Sequence, residues 1–268
     1  MTDPIMDDLS QQHVEWLRRQ KDRSPKTIES RVRVLRSLPN AGTATREDVE
    51  TWWESRAHLS TGTRAVDLSH LRGFYQWCQI YDHRTDDPSI RIRAPRVKNR
   101  IPRKATRADI DTLLASDLAP DLRRAFLLGC YAGLRVAEAA ALDWADVDSD
   151  AATITIREGK GGKSRVVDVS PLLIDWLGGQ GTGNVVTGNA SRYSPGQLQR
   201  RLNRAIKAAG LTITTHALRH RWGMVAYQST GDLLAVGEMM GHASVNTTKI
   251  YAQASSDVKK KIASAVMR

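Results

Sequence analysis

The residues best suited to chemistry are concentrated near the end of the chain, between positions 214 and 254. His216 and Arg219 open a predicted helix. His242 follows the glycine that ends the next helix, and Tyr251 comes nine residues later. Such a set can bind an anion and attack it, because a guanidinium donates to anionic oxygens and a phenol can act as a nucleophile. The stretch therefore predicts an active site that the rest of the chain must position.

Two familiar motifs are incomplete in this sequence. His216 and His220 have the i, i+4 spacing of zinc hydrolases, but Ala217 stands where that motif requires a glutamate. Gly162-Lys163-Ser164 copies the end of a phosphate-binding P-loop, yet this turn joins two predicted strands, whereas a P-loop runs from a strand to a helix. We therefore expect no metal site and no nucleotide cofactor.

The composition predicts an intracellular globular protein with a polyanionic partner. A chain of 268 residues, 41% of them hydrophobic, can form two ordinary domains. The net charge of +11 and the pI of about 9.9 favour a polyanion. Cys78 and Cys130 lie in apolar stretches, which is typical of buried thiols. No apolar run exceeds ten residues and no signal sequence is recognisable, so we expect a cytoplasmic location without membrane contact.

The first ninety residues predict four helices and no strand. Apolar residues recur at helical spacing, and Ser24-Pro25, Thr45 and Thr61 mark three of the helix starts. One group of aromatic residues is predicted to form a core rather than a base-stacking surface: Trp52, Trp53, Phe74, Tyr75 and Trp77.

A basic linker follows. Residues 91–104 contain seven Lys or Arg, no acidic residue and two prolines, which predicts an extended segment. Residues 1–90 carry 13 basic and 14 acidic side chains, so the excess positive charge lies in the linker and in residues 105–268. The linker could be a solvated spacer, but contact with phosphates is favoured because it joins a basic domain to a neutral one. Its candidate binding residues are Arg91, Arg93, Arg96, Lys98, Arg100, Arg103 and Lys104.

Residues 105–268 predict helices around one antiparallel β-hairpin. Residues 153–157 and 165–169 alternate in polarity, and the glycine-rich turn between them carries Lys160 and Lys163. Helices are predicted from the Thr106 cap, over 122–133, from Arg135 through Leu142, around 172–177, from Ser194-Pro195, from His216 and in the tail after Ser255. The expected fold class is mainly α with a small antiparallel hairpin.

Five motifs in this order resemble the tyrosine recombinase family of integrases and Xer-like recombinases. They are GLRxxE from Gly133, GKGGK on the hairpin, HxLRH from His216, GH at 241–242 and the tyrosine nine residues on. The resemblance covers essentially the whole chain and implies a site-specific recombinase that cleaves and rejoins double-stranded DNA without a cofactor. It implies a helical core-binding domain (1–90), a basic linker (91–104) and a mixed α/β catalytic domain (105–268).

The resemblance also implies roles for the residues that would handle the phosphate. Tyr251 would be the nucleophile and would form a 3′-phosphotyrosyl bond. Arg135 and Arg219 would bind the non-bridging oxygens of the scissile phosphate, where an attacked phosphodiester accumulates negative charge. Glu138, one helical turn after Arg135, would hold that arginine in place.

Proton transfer would fall to the remaining matched residues. Lys160 would protonate the leaving 5′-oxygen, with Lys163 as the alternative because both lie in the same turn. His216 and His242 would assist proton transfer and stabilise charge at the phosphate.

Two other classes remain open at this point. A type IB topoisomerase shares this chemistry but relaxes DNA as a monomer, and a non-catalytic DNA-binding protein would need neither Tyr251 nor Lys160. Recombination implies a homotetramer on DNA. Val258, Ile262 and Val266 form an apolar stripe in the tail, which would pack either on its own domain or on a neighbouring subunit, as in relatives.

Overall fold

The computed structural model describes residues 6–20, 25–97, 104–157, 164–187 and 192–241. Helices predominate in these residues and a small antiparallel sheet accompanies them, as the sequence predicts. The chain divides into two compact units, Met1–Arg100 and Ile101–Arg268, and each unit has its own main hydrophobic core.

Four α-helices form the described part of the first unit. They are α1 (Asp8–Arg19), α2 (Pro25–Arg36), α3 (Arg46–Ser55) and α4 (Thr61–Ile80). Thr45 caps α3 and forms a reciprocal capping box with Asp48, which confirms the predicted start of this helix. The helix α4 begins at Thr61, and the hydroxyl of the preceding Ser60 accepts a hydrogen bond from the Thr63 amide.

The core of the first unit is rich in aromatic residues. Phe74 and Tyr75 are fully buried, and Trp52 and Trp77 are almost so. Trp53 is half-buried and packs against the same cluster. These positions confirm that the aromatic group forms a core, because four of the five rings are buried and the fifth packs against them.

The described part of the second unit contains seven α-helices besides the sheet. They are α5 (Arg107–Ala115), α6 (Pro120–Tyr131), α7 (Val136–Ala141), α8 (Pro171–Leu177), α9 (Pro195–Ala208), α10 (Thr215–Thr230) and α11 (Leu233–Met239). Thr106 and Ser194 cap α5 and α9 with capping boxes, as expected for these residues. The apolar helix predicted to run to Gly133 ends at Tyr131, because Gly133 has a left-handed backbone (φ +66°).

The sheet has three antiparallel strands in the order β1 (Val147–Asp148), β2 (Thr153–Ile156) and β3 (Arg165–Asp168). The predicted hairpin is β2–β3, in which Ile154 lies opposite Val167 and Ile156 opposite Arg165. The two-residue strand β1 was not predicted, since so short a segment has no recognisable alternation. Ile154, Ile156 and Val167 face the core.

The two cores reach into the residues that join the units. Ile92 is buried in the first core, and Arg72 donates a 2.6 Å hydrogen bond to its carbonyl. Ala105 is buried in the second core. Residues 93–97 have no regular secondary structure. The predicted boundaries at 90/91 and 104/105, and the functional division they express, remain predictions.

Both cysteines are buried and free, as their apolar surroundings predict. Burial raises the pKa of Cys78 to about 11 and that of Cys130 to about 12, so both are neutral thiols at neutral pH. None of the helices in the described ranges is long and apolar enough to span a bilayer.

Candidate active site

A tight turn between α6 and α7 positions Arg135. The left-handed backbone of Gly133 reverses the chain, and a Cβ atom at this residue would lie 2.8 Å from the Trp222 ring. Arg135 then occupies the N-cap of α7. Its Nη1 donates to Glu138 Oε1 at 2.7 Å, and its Nη2 donates to the Gly241 carbonyl at 2.9 Å. The Arg135 side chain is 26% exposed, so part of it remains accessible to solvent.

Glu138 is the carboxylate around which the site is built. Only 3% of its side chain is exposed, and three guanidiniums surround it. Arg135 and Arg165 donate hydrogen bonds to it, while Arg219 lies 3.7 Å away. The backbone N–H of Arg135 adds a further hydrogen bond at 2.8 Å. The predicted pairing of Arg135 with Glu138 is therefore present in the structure.

The surroundings keep Glu138 ionised. Burial alone would raise the pKa of this carboxyl group, but the hydrogen bonds from Arg165 and from the Arg135 backbone outweigh it and lower the pKa below its usual range. Three guanidiniums and one carboxylate give the cluster a formal charge of +2. Such a cluster can attract and hold an anionic group.

Arg219 is held within the second unit by backbone carbonyls. It lies one turn into α10 and is only 3% exposed. Its Nη1 donates to the Gly133 carbonyl and its Nη2 to the Met240 carbonyl. Arg135 and Arg219 are thus both anchored at the end of α11 and around the Gly133 turn, which brings together two arginines that are 84 positions apart in the sequence.

Arg165 is a site residue that the sequence analysis missed. It begins β3, and its Nη1 and Nη2 donate to Glu138 Oε1 and Oε2, both at 2.9 Å. The signal was present in the alternation of the strand, because Arg165 shares the inward face with the buried Val167. A charged residue on the buried face of a strand requires a buried partner of opposite charge.

The two histidines of α10 lie beside the arginine cluster. His216 is in the first turn and is exposed. Lost hydration and the positive charges of Arg219 and Arg135 lower the pKa of His216. Burial, followed by the neighbouring His216 and Arg219, lowers the pKa of His220 to about 4, and the two rings meet edge to face with centroids 4.4 Å apart. Both imidazoles are therefore largely neutral at pH 7 and can accept or relay a proton.

Several predicted site residues lie outside the described residues. They are Lys160, Lys163, His242 and Tyr251, together with Lys98, Arg100 and Arg103 of the linker. The remaining linker cations, Arg91, Arg93, Arg96 and Lys104, are exposed. Within the described ranges no three His, Cys, Asp or Glu side chains are grouped so that they could hold a metal ion.

Comparison with known proteins connects this cluster to one family. The model of the phage integrase family matches residues 106–257, which is more than half of the chain. The tyrosine recombinase XerC of Chromobacterium violaceum is 35% identical over 209 residues, covering 72% of this chain and 70% of the relative.

Solved structures show the same fold. The integrase of transposon Tn1549, in complex with transposon right end DNA, superposes with a TM-score of 0.76 at 16% identity and covers 97% of this chain and 99% of that one. A lambda integrase tetramer bound to a Holliday junction gives a TM-score of 0.74 at 18% identity and covers 90% and 76%. The order of the motifs, the clustered arginines and these similarities agree. The chain therefore belongs to the phage integrase family and is a site-specific tyrosine recombinase.

Proposed function

We propose that this recombinase cleaves and rejoins double-stranded DNA through a covalent bond between Tyr251 and a 3′-phosphate, acting in the cytoplasm. The observation that carries the proposal is the cluster in which Arg135, Arg165 and Arg219 surround the buried Glu138. A phosphodiester brings one negative charge, and a second develops as an oxygen nucleophile adds to phosphorus. A site with a formal charge of +2 matches the charge of that transition state.

The proposed reaction exchanges one phosphoester bond for another. The phenolic oxygen of Tyr251 attacks phosphorus, the bond from phosphorus to the 5′-oxygen breaks, and the phenolic proton passes to a neighbouring base. Lys160 donates a proton to the 5′-oxygen, with Lys163 as the alternative donor. The reverse reaction, with a 5′-hydroxyl from another strand, rejoins the DNA and releases Tyr251. Because the number of phosphoester bonds is conserved, the reaction needs no energy-rich cofactor.

Arg135 and Arg219 are proposed to bind the non-bridging oxygens. A guanidinium carries five N–H donors, of which Arg135 uses two in its described hydrogen bonds to Glu138 and Gly241. Donors therefore remain for a phosphate. His216, exposed beside these arginines and held largely neutral, is suited to take up the Tyr251 proton, and His242 is proposed to support it.

A homotetramer on DNA, with the C-terminal tail exchanged between subunits, is the proposed assembly. Strand exchange joins two duplexes and needs four cleavages, which four subunits provide. The similarity of fold to an integrase tetramer on a Holliday junction supports this proposal. The basic linker, with Arg91, Arg93 and Arg96 exposed, is proposed to contact DNA phosphates.

Substitution of the nucleophile tests the chemistry. Tyr251→Phe removes only the hydroxyl group, so DNA binding should persist while covalent capture of a nicked target site is lost. Labelled DNA that stays attached to protein on a denaturing gel is the readout. Adduct formation by the variant at the wild-type level would show that another residue is the nucleophile.

An assay of strand exchange distinguishes a recombinase from a type IB topoisomerase and from a non-catalytic DNA-binding protein. A topoisomerase would relax supercoiled DNA but would not join arms from two target sites, and a DNA-binding protein would form no adduct. The similarity to XerC favours recombination. Recombinant products from a plasmid that carries two sites are expected, and their absence alongside efficient relaxation would favour the topoisomerase.

A further inference from the structure

Arg165 makes three side-chain hydrogen bonds that tie together separate parts of the site. Two go to the carboxylate oxygens of Glu138, both at 2.9 Å. The third runs from Nε to the carbonyl of Met239, the last residue of α11, at 2.9 Å. The side chain is only 12% exposed. Arg165 thus connects the start of β3 to α7 and to the end of α11.

The chain after α11 is fitted closely to this guanidinium. Gly241 has a left-handed backbone (φ +61°), and a Cβ atom there would lie 2.7 Å from Arg165 Nη1. The carbonyls of the same short segment accept hydrogen bonds from the two predicted phosphate-binding arginines, Met240 from Arg219 and Gly241 from Arg135. A displacement of this segment would therefore move the partners of both arginines.

We propose that Arg165 is a positioning residue of the recombination reaction, which holds Glu138 and the end of α11 so that Arg135 and Arg219 are aligned for the scissile phosphate. The inference rests on the proposed function for the identity of the substrate. Arg165 also begins β3, two positions after Lys163 in the sequence.

Geometry, rather than charge alone, is what Arg165 contributes. Glu138 already has Arg135 at 2.7 Å and Arg219 at 3.7 Å, so its negative charge is compensated without a third cation. A guanidinium makes these three contacts from three nitrogens held in one plane, whereas the donors of an ammonium group all radiate from a single nitrogen. Lysine at this position should therefore preserve the charge and lose the alignment.

Single-turnover cleavage of a nicked site, with DNA saturated by protein, measures the proposed effect. Arg165→Lys and Arg165→Gln should slow adduct formation on the order of 100-fold, because small misplacements of catalytic groups have effects of that size. Their affinity for the site should stay within about twofold of wild type, as expected when only the reacting geometry is changed. Cleavage by Arg165→Lys at the wild-type rate would overturn the proposal, since charge alone would then suffice.

Arg157→Gln is the matched control. Arg157 follows β2 on the same hairpin and also pairs with a buried carboxylate, Asp146, but makes none of the described contacts with Glu138 or α11. The Arg157→Gln variant should cleave DNA at nearly the wild-type rate. Circular dichroism at the assay temperature establishes that each variant is folded, and the lysine variant carries the test if Arg165→Gln does not fold.

A double-mutant cycle tests whether Arg165 acts through Glu138. If it does, Arg165→Lys combined with Glu138→Gln should cleave within about threefold of the slower single variant, because residues that act as a unit are not additive. If the double variant instead slows cleavage by the product of the two single-variant factors, Arg165 acts independently of Glu138. That result would overturn the proposal that Arg165 acts through Glu138.

Nuclear magnetic resonance provides a readout that does not depend on DNA cleavage. In the ¹⁵N-labelled protein, the side-chain Nε–H signals of Arg135 and Arg219 should shift in Arg165→Lys and remain in place in Arg157→Gln. Unchanged signals in Arg165→Lys would overturn the positioning role. If the signals shift but the wild-type protein forms no Tyr251-dependent adduct, the proposed function fails and the positioning role stands.

Discussion

Glu138 shows how a single buried carboxylate can organise cations that would otherwise repel one another. Three arginines within hydrogen-bonding or ion-pair distance would be unfavourable without a negative charge between them. The carboxylate in turn could not stay ionised at 3% exposure without those partners. The carboxylate and its arginines therefore stabilise one another, and the cluster keeps a formal charge of +2, which suits the proposed binding of a phosphate.

His13 is the opposite case, a buried polar side chain without compensation. It is 1% exposed among Trp16, Phe74 and Trp77, and neither ring nitrogen has a hydrogen-bond partner within the described ranges. Burial, together with the nearby charge of Arg31, lowers the pKa of His13 to about 3. The native state therefore holds a neutral imidazole at a pH where the unfolded chain would protonate it.

This arrangement predicts an acid-sensitive first unit. Between about pH 6.5 and pH 3 the unfolded state binds more protons at His13 than the native state does, so the free energy of unfolding should fall as the pH falls. The contribution is up to about 1.4 kcal/mol per pH unit. His13→Leu should flatten this slope in urea unfolding followed by tryptophan fluorescence. Substitution of the exposed His58 by leucine should leave the slope unchanged. Equal slopes in the two variants would contradict the assignment of the pH dependence to His13.

At the scale of elements, the site is made from pieces too short to be stable alone. The helices α7 and α11 have six and seven residues, whereas isolated helices below about 12 to 15 residues are marginal in water. Packing against α6, α9 and α10 must hold them in place. The turns that carry these short helices into position therefore decide the geometry of the site.

The Gly133 turn offers a direct test of that dependence. Gly133→Ala adds a Cβ atom at a left-handed backbone position and 2.8 Å from the Trp222 ring. Gly210→Ala is the matched control, because its φ is +77° and nothing lies within 4 Å of the added atom. We expect the control to lower the free energy of unfolding by about 1 kcal/mol through backbone strain. Gly133→Ala should lower the free energy of unfolding clearly more than the control does. Equal decreases in urea unfolding would mean that the Trp222 ring moves away from the added Cβ atom without loss of stability.

At the scale of the whole molecule, the charge is distributed unevenly along the chain. Residues 1–90 are nearly neutral, while seven basic residues lie between positions 91 and 104. A run of like charges repels itself in isolation, and a polyanion removes that repulsion. Substitutions in the linker should therefore have the largest effect on the salt dependence of DNA binding.

Replacement of Arg96, Lys98 and Arg100 by glutamine tests the linker. Each phosphate that the variant no longer neutralises should reduce the log–log salt slope of duplex binding by about 0.9, so three such phosphates would reduce it by up to about 2.7. Binding should weaken for all DNA sequences alike. The control replaces three exposed arginines of the first unit by glutamine: Arg18, Arg19 and Arg46. An unchanged slope in the linker variant would identify the linker as a solvated spacer.

Deletion of residues 257–268 tests the proposed assembly. The predicted phosphate-binding residues all precede the tail, so binding to a single site should stay nearly intact, while cooperative binding of a second protomer and strand exchange should be lost. Gel shifts on one-site and two-site DNA measure both. As a control, replacement of Lys259, Lys260 and Lys261 by glutamine removes charge but keeps the apolar stripe. This variant should retain cooperative binding. Undiminished cooperativity after the deletion would place the tail on its own domain.

The sequence by itself determined the features that depend on neighbouring residues. The Thr45 and Thr106 caps, the β2–β3 hairpin and the Arg135–Glu138 pair all join positions close together in the chain, so their residue types and spacing suffice. The order of the five motifs likewise identified the family that the comparisons then showed. The assignments of Lys160, His242 and Tyr251 remain predictions, because these residues lie outside the described ranges.

Only the tertiary structure decided how the site is held together. The bond from Arg165 to Glu138 spans 27 positions, that from Arg219 to Gly133 spans 86, and that from Arg135 to Gly241 spans 106. No local pattern specifies such pairs, because an arginine at a strand start or in a helix can pair with any acceptor that folding brings near it. Burial then fixes the choice, since a charge removed from water must find its partner within the protein.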